Sequence, residues 1–135
     1  MSLSELLGVP VLDSDGAVGG RVREVAVAPQ EDAARVAGLI VRTASGDRML
    51  ASAALAAVSG TTVRAAAPVA EWPAFAGGEG LLLLERDLLD QQIIDVHGRK
   101  VVRVNDVDLH PEPVNGYVVL RIGEVDVGAR GAVRR

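Results

Sequence analysis

Two acidic residues, Asp13 and Asp15, stand directly before Gly16 and form the chain's most suggestive metal-binding pattern. Alternate carboxylates of this kind open many calcium loops, where their oxygens bind a hard cation. The third acidic position and the distal glutamate of such a loop are missing here. An aspartate followed by glycine also closes β-hairpins, because glycine adopts positive φ freely and aspartate hydrogen-bonds to nearby backbone. We predict a hairpin turn over residues 13–16 and no calcium site.

Both histidines follow an aspartate by two residues: His97 follows Asp95, and His110 follows Asp108. Imidazole and carboxylate groups are common partners in metal sites. In the expected strand arrangement, however, the two histidines lie at opposite ends of one long hairpin. We therefore predict exposed turn histidines, and we assign no metal ligands and no cofactor to the chain. Magnesium would enter only through domains outside this sequence.

Nucleophilic catalysis needs a hydroxyl group beside a histidine base that a carboxylate orients. Six serines and one threonine were candidate nucleophiles, and none lies in a Gly-x-Ser-x-Gly turn. They are Ser2, Ser4, Ser14, Thr43, Ser45, Ser52 and Ser59. Gly16, Gly19 and Gly20 lack dinucleotide-loop spacing and precede an expected strand. Residues 128–131 are expected to form a flexible tail rather than a backbone-clamping loop. We predict no catalytic residues and no enzyme.

The composition excludes several other classes of protein. A formal net charge of −4 and an aromatic content of 2% argue against a nucleic-acid partner, which requires basic stripes and stacking rings. The absence of cysteine excludes disulfides and thiolate sites. The longest uncharged stretch, residues 50–63, is too polar to span a bilayer, and the first residues lack a secretory leader pattern. We expect a globular, cytoplasmic chain that does not insert into membranes.

The sequence contains an internal repeat with an offset of 82 residues, and this repeat organises the predicted elements that would position these residues. Apolar and turn positions match in one register, including Asp13 with Asp95 and Gly16 with Gly98. Acidic positions match as well, and Glu24 falls on Asp106. A period this long excludes a solenoid and indicates duplication of a small domain. We expect the two copies to pack as a pseudo-twofold pair.

Alternating apolar residues predict β-strands in both copies. In the first copy the alternation that ends at Val22 resumes at Val25, one position out of phase. The second copy has the same slip between Val104 and Val107. We predict a β-bulge near Arg23–Glu24 and at the equivalent place in the second copy, on strands that bend around a barrel corner.

A third strand is expected in each copy, over residues 36–42 and 115–121. In the first copy a short turn or helix at 51–58 and a strand at 61–65 follow. Proline and glycine mark residues 67–80 as a linker. The apolar residues 81–84 are expected to form a buried strand of the second copy.

Residues 6–16, 19–27 and 36–41 resemble the PRC-barrel domain, the small β-barrel of the photosynthetic reaction-centre H subunit and of RimM-type ribosome maturation factors. Residues 86–107 are similar to the tandem PRC-barrel region that precedes MgtE-type magnesium-transporter domains. The resemblance covers nearly the whole chain except the linker. It implies a mainly β fold with two small barrels and short helical turns, with repeat 1 at 1–66, the linker at 67–80 and repeat 2 at 81–135.

The function implied by this resemblance is non-enzymatic docking or regulation at the amino-terminal, cytosolic part of an MgtE-type protein. Helical and CBS domains would then follow Arg135, and the unfilled second copy suggests a piece of a longer protein. The alternative is a stand-alone adaptor that binds an RNA-processing or photosynthetic protein. Expected partners are other domains of the same protein or a sister chain in a homodimer.

Overall fold

The computed structural model describes residues 1–89, 91–95 and 100–129, and these residues form a mainly β fold with two sheets. The α-helices are short: α1 Leu3–Leu6, α2 Pro29–Asp32 and α3 Leu84–Asp87. Two 3₁₀ turns span Ser52–Ala54 and Val69–Glu71. The strands are β1 Pro10–Leu12, β2 Val18–Val27, β3 Gly38–Thr43, β4 Gly46–Ala51, β5 Leu55–Val58, β6 Val63–Ala65, β7 Leu82–Leu83, β8 Gln92–Asp95, β9 Lys100–Val114 and β10 Tyr117–Ala129.

The first sheet has the strand order β4-β3-β2-β1-β6-β5, with β7 paired to β2 beside this path. Its neighbours are antiparallel except β1 and β6, which run parallel. Gly46, at φ 109°, follows the tight turn between β3 and β4. Three of its six pairings, β1–β2, β3–β4 and β5–β6, are therefore short local hairpins.

The second sheet contains β10, β9 and β8 in that order. Strands β9 and β10 form a long antiparallel hairpin closed by Asn115 and Gly116, both with positive φ. Asn-Gly with this geometry is a favoured two-residue hairpin turn, because its twist matches that of the flanking strands.

A β-bulge interrupts the long strand of each sheet, as the phase slips predict. Arg23 is the extra residue between the Val22 and Glu24 pairings with β3. Asn105 is the extra residue in β9, between the Val104 and Asp106 pairings with β10. The two bulges lie 82 residues apart, so both are confirmed at equivalent positions.

One apolar core joins the two sheets. Its fully buried side chains come from α1, from the first sheet and from both strands of the long hairpin. Leu3 and Leu6 of α1 share this core with Leu109 and Leu120 of the second sheet. Burial of this apolar surface is what holds the two halves together.

The strand order does not confirm the expected pair of barrels. Within the described residues neither sheet closes, and the second sheet has three strands where the first has seven. Residues 81–84 also differ from the prediction. Leu82–Leu83 pairs with β2, so this segment joins the sheet formed by the first copy and not that of the second copy.

The third strand of the second copy was predicted over residues 115–121, but it begins two residues later and is longer. Residues 115–116 form the turn, and β10 runs from Tyr117 to Ala129. Gly128 and Ala129 therefore belong to a strand and not to a flexible tail, whereas residues 130–131 lie outside the described residues. Of residues 51–58, which were predicted as a short turn or helix, Ala51 ends β4, Ser52–Ala54 form a 3₁₀ turn and Leu55–Val58 form β5.

The segment predicted to be a linker packs on the first sheet over its first half. Trp72 is buried, and its indole Nε1 donates a hydrogen bond to the Ala67 carbonyl at 3.0 Å. The Met49 N–H donates to the Pro73 carbonyl, and the Phe75 N–H donates to the Asp47 carbonyl, both at 2.9 Å. This part of the segment therefore extends the first sheet beyond β4.

Candidate functional site

The second half of β10 occupies the place that β3 has in the first sheet. Val25 pairs with Leu39 and Val22 with Val41, on either side of the first bulge. Their 82-residue equivalents pair with residues of β10: Val107 pairs with Val125, and Val104 pairs with Val127. Val125 and Val127 are therefore the structural counterparts of Leu39 and Val41.

The two pairs of counterparts differ strongly in burial. Leu39 and Val41 are fully buried, whereas Val125 is 42% exposed and Val127 is 46% exposed. In the first sheet β4 covers the outer side of β3, with Leu50 opposite Leu39. The second sheet thus presents apolar side chains at a position where the first sheet has a further strand.

We call Gly123–Ala129 of β10 the open edge. Along it, hydrogen bonds of the described residues run to β9, and the described part of the chain places no strand on the other side. An unpaired strand edge offers backbone N–H and carbonyl groups to another extended chain. Exposed valines beside those groups make this edge the molecule's candidate docking site.

The first half of β10 is held in place by the segment between α2 and β3. The Val36 N–H donates to the Leu120 carbonyl, and the Ile122 N–H donates to the Ala34 carbonyl, both at 2.8 Å. These bonds use the outer side of β10 up to Ile122. They anchor the hairpin and leave the open edge beginning at the next residue.

A second irregularity lies where the open edge begins. Ile122 pairs with Leu109 and Val125 with Val107, so β10 carries one extra residue between them. The His110 ring lies over Gly123, where a side chain would come within 2.5 Å of its Nε2 atom. Glycine at this position lets the histidine cover the strand closely.

Glu24 fixes the start of α3 from the first sheet. Its carboxylate is buried and accepts hydrogen bonds from the N–H groups of Glu85 at 2.8 Å and Arg86 at 3.0 Å. It also accepts one from the Val25 N–H at 3.0 Å. A helix begins with unpaired N–H groups, and a carboxylate placed there satisfies them.

Asp106 makes the reciprocal contact from the second sheet. Its Oδ1 atom accepts from the N–H of Ser4 in α1 at 3.1 Å and from the Val107 N–H at 2.9 Å. Ser2 caps the same helix in a capping box with Glu5. Each bulge thus turns a carboxylate toward the helix that begins the other copy.

Burial is the largest single influence on Asp106 and favours its neutral form. Hydrogen bonds from Ser4, from the Val107 N–H and from Ser2 outweigh it, and together they hold the pKa of Asp106 below its ordinary value. The carboxylate is therefore charged at neutral pH while it caps α1.

The Asp13–Gly16 segment is a hairpin turn, as predicted. Asp13 is buried; its Oδ1 atom accepts from the N–H groups of Asp15 at 2.9 Å and Ala17 at 3.1 Å. Its Oδ2 atom accepts from the Val69 N–H at 3.3 Å. Burial is the strongest influence and raises the pKa of Asp13, but these backbone hydrogen bonds bring the pKa below its ordinary value. Both carboxylate oxygens of Asp13 are therefore used by backbone N–H groups.

Of the two histidines predicted to be exposed turn residues, the structure describes only His110. His110 is exposed as predicted, but it lies within β9 and not in a turn. Its Nε2 atom is 3.0 Å from Asp108, which also faces the Met1 ammonium at 3.7 Å. His97 lies outside the described residues. Within the described residues, no three His, Asp or Glu side chains lie close enough together to hold a metal ion.

Two of the glycines and two of the serines singled out in the sequence have structural roles. Gly19 and Gly20 lie in β2, and Gly19 is packed under the Trp72 ring. Ser2 caps α1, and the Ser52 hydroxyl donates to the Val36 carbonyl at 3.0 Å.

The capping carboxylates and the open edge are what sequence reasoning missed. Glu24 and Asp106 match as a conservative pair at the predicted bulge. That position was the available signal, because a bulge often redirects a side chain. Val125 and Val127 alternate with Asp126 as a strand would, but the third strand predicted for the second copy ends at residue 121.

Within the described residues, the helices are too short to cross a membrane. A scan against protein-family models and a search of curated proteins found no match to this chain. The candidate site therefore rests on the geometry of the open edge, and the PRC-barrel resemblance stays a prediction from residues 6–16, 19–27, 36–41 and 86–107.

Proposed function

We propose that this chain is a tandem PRC-barrel-type docking module that acts by binding a protein segment along the open edge. The observation that carries the proposal is the exposure of Val125 and Val127 where their counterparts Leu39 and Val41 are fully buried. An added strand would bury both valines and pair the free backbone groups, which is the usual basis of strand addition. The module needs no chemistry of its own for this role.

The cellular setting of the proposal comes from the sequence resemblance. Residues 86–107 are similar to the tandem region of MgtE-type magnesium-transport proteins, so we propose a cytosolic module at the amino-terminal side of such a protein. Its partner would be another domain of the same polypeptide or a sister chain. Magnesium would be handled by those other domains.

The reading frame that follows the Arg135 codon tests this setting. Helical repeats, CBS domains and apolar spans encoded there would support a transporter module. An immediate stop codon would contradict it. The alternative function, a stand-alone adaptor for an RNA-processing or photosynthetic protein, would then be favoured.

Docking itself is tested with a double variant, Val125→Lys with Val127→Lys. Binding to the neighbouring domains, produced separately, should be lost while the free energy of unfolding stays close to that of the parent chain. Val18→Lys is the matched control, because Val18 is 63% exposed on the first sheet. Unchanged binding by the double variant would contradict docking at the open edge.

A further inference from the structure

The open edge carries acidic side chains beside its valines. Glu124 and Asp126 are both exposed, and the stretch from Gly123 to Ala129 contains no basic residue. Asp126 lies between Val125 and Val127, so its side chain points to the opposite face of the sheet. A strand that docks here meets an apolar face and an acidic face.

The first sheet provides the template for such a strand. There β4 runs antiparallel to β3, and Met49 lies opposite Ile40, the residue whose counterpart in the second sheet is Asp126. Residues directly opposite each other in an antiparallel pair lie on the same face and interact. The residue opposite Asp126 must therefore suit a carboxylate, although the residue opposite Ile40 is apolar.

A second copy of this chain fits the open edge poorly. If Val125 of one copy lies opposite Val125 of the other, Glu124 faces Asp126. If Val125 lies opposite Val127, the two Asp126 residues face each other. Like charges directly opposite destabilise a strand pair. The expected homodimer, if it forms, would need another surface or another register.

Resting on the proposed docking function, we infer that the partner of the open edge is an extended basic segment of a protein. It pairs antiparallel with β10 and places apolar residues opposite Val125 and Val127. A lysine or arginine opposite Asp126 lies between them. Charge complementarity then selects this segment over neutral or acidic strands.

Three peptides of about eight residues test the inference, with valine alternating with lysine, threonine or glutamate. Binding to the full chain is measured by calorimetric titration. We expect the lysine peptide to bind about fivefold tighter than the threonine peptide, the size of one favourable cross-strand pair. The glutamate peptide should bind weakest.

The variant Asp126→Lys should reverse this order and favour the glutamate peptide. Asp15→Lys is the matched control, because it makes the same charge change at an exposed turn residue of the first sheet and should leave the order unchanged. A reversal by both variants would indicate attraction by net charge alone and would overturn the inference.

The remaining outcomes separate the inference from the docking function. Equal affinities for all three peptides, lost in the Val125→Lys and Val127→Lys double variant, would overturn the basic partner and leave docking intact. No binding by any peptide would overturn both. A dimer in sedimentation that the double variant dissociates would identify a second copy as the occupant and overturn the basic partner.

Discussion

Glu24 and Asp106 lie 82 residues apart, and each caps the first helix of the other copy. Glu24 accepts hydrogen bonds from Glu85 and Arg86 at the start of α3, and Asp106 accepts one from Ser4 in α1. The two copies therefore exchange their first helices instead of folding side by side. This exchange ties the unfolding of one half to that of the other.

Glu24→Gln should destabilise the fold by about 2 kcal/mol, because an amide N–H₂ would replace one of the oxygens that face buried N–H groups. The measurement is urea unfolding followed by circular dichroism. Glu85→Gln is the matched control, since the Glu85 side chain is exposed. Equal unfolding midpoints for the two variants would show that the buried carboxylate is dispensable.

The pKa of Asp106 below its ordinary value predicts acid sensitivity. The stabilisation is fully present above the ordinary carboxyl pKa and is lost as pH falls through the lower, folded value. Asp106→Asn should therefore be less stable at neutral pH and lose less further stability on acidification. Thermal unfolding from neutral pH down to about pH 2 measures this. Parallel curves for the parent and the variant would contradict the role of Asp106.

Gly38→Ala should cost about 2 kcal/mol through overpacking. An added Cβ would lie 2.5 Å from the Leu50 carbonyl oxygen and 2.7 Å from the Met49 side chain. Gly60→Ala is the control, where the nearest group is the Glu5 side chain at 3.9 Å. Chemical unfolding should separate the two variants clearly; similar midpoints would contradict the tight β3–β4 pairing.

Trp72 is the chain's single tryptophan and reports on the segment predicted to be a linker. Because this residue is only 4% exposed, its emission should be blue-shifted and protected from acrylamide. Trp72→Ala should destabilise the fold by about 4 kcal/mol. Emission typical of a solvated indole would mean that this segment does not pack on the first sheet.

Local features of the fold could be predicted from the sequence, and long-range ones could not. The Asp13–Gly16 turn and the bulges at Arg23 and Asn105 were predictable, because turn residues and phase slips act over a few positions. The pairing of Leu82–Leu83 with β2 joins segments far apart in the chain, and strand alternation alone does not specify a partner.

The candidate docking edge could not be predicted from the sequence for a related reason. Residues 115–121 match the first copy's third strand in sequence, yet Val125 and Val127 take the places of Leu39 and Val41. The hairpin turn at Asn115 and Gly116 sets this register and lengthens both strands. Sequence matching aligned residue types, whereas the turn and the bulges determined which residues pair.

Backbone amide hydrogen exchange along Gly123–Ala129 tests the central claim most directly. In the chain alone, the amides that point away from β9 should exchange quickly at every protein concentration. Addition of the valine–lysine peptide should protect them and leave exchange in β3 unchanged. Amides that are already protected in the dilute chain, or that the peptide leaves unprotected, would contradict a free docking edge on the second sheet.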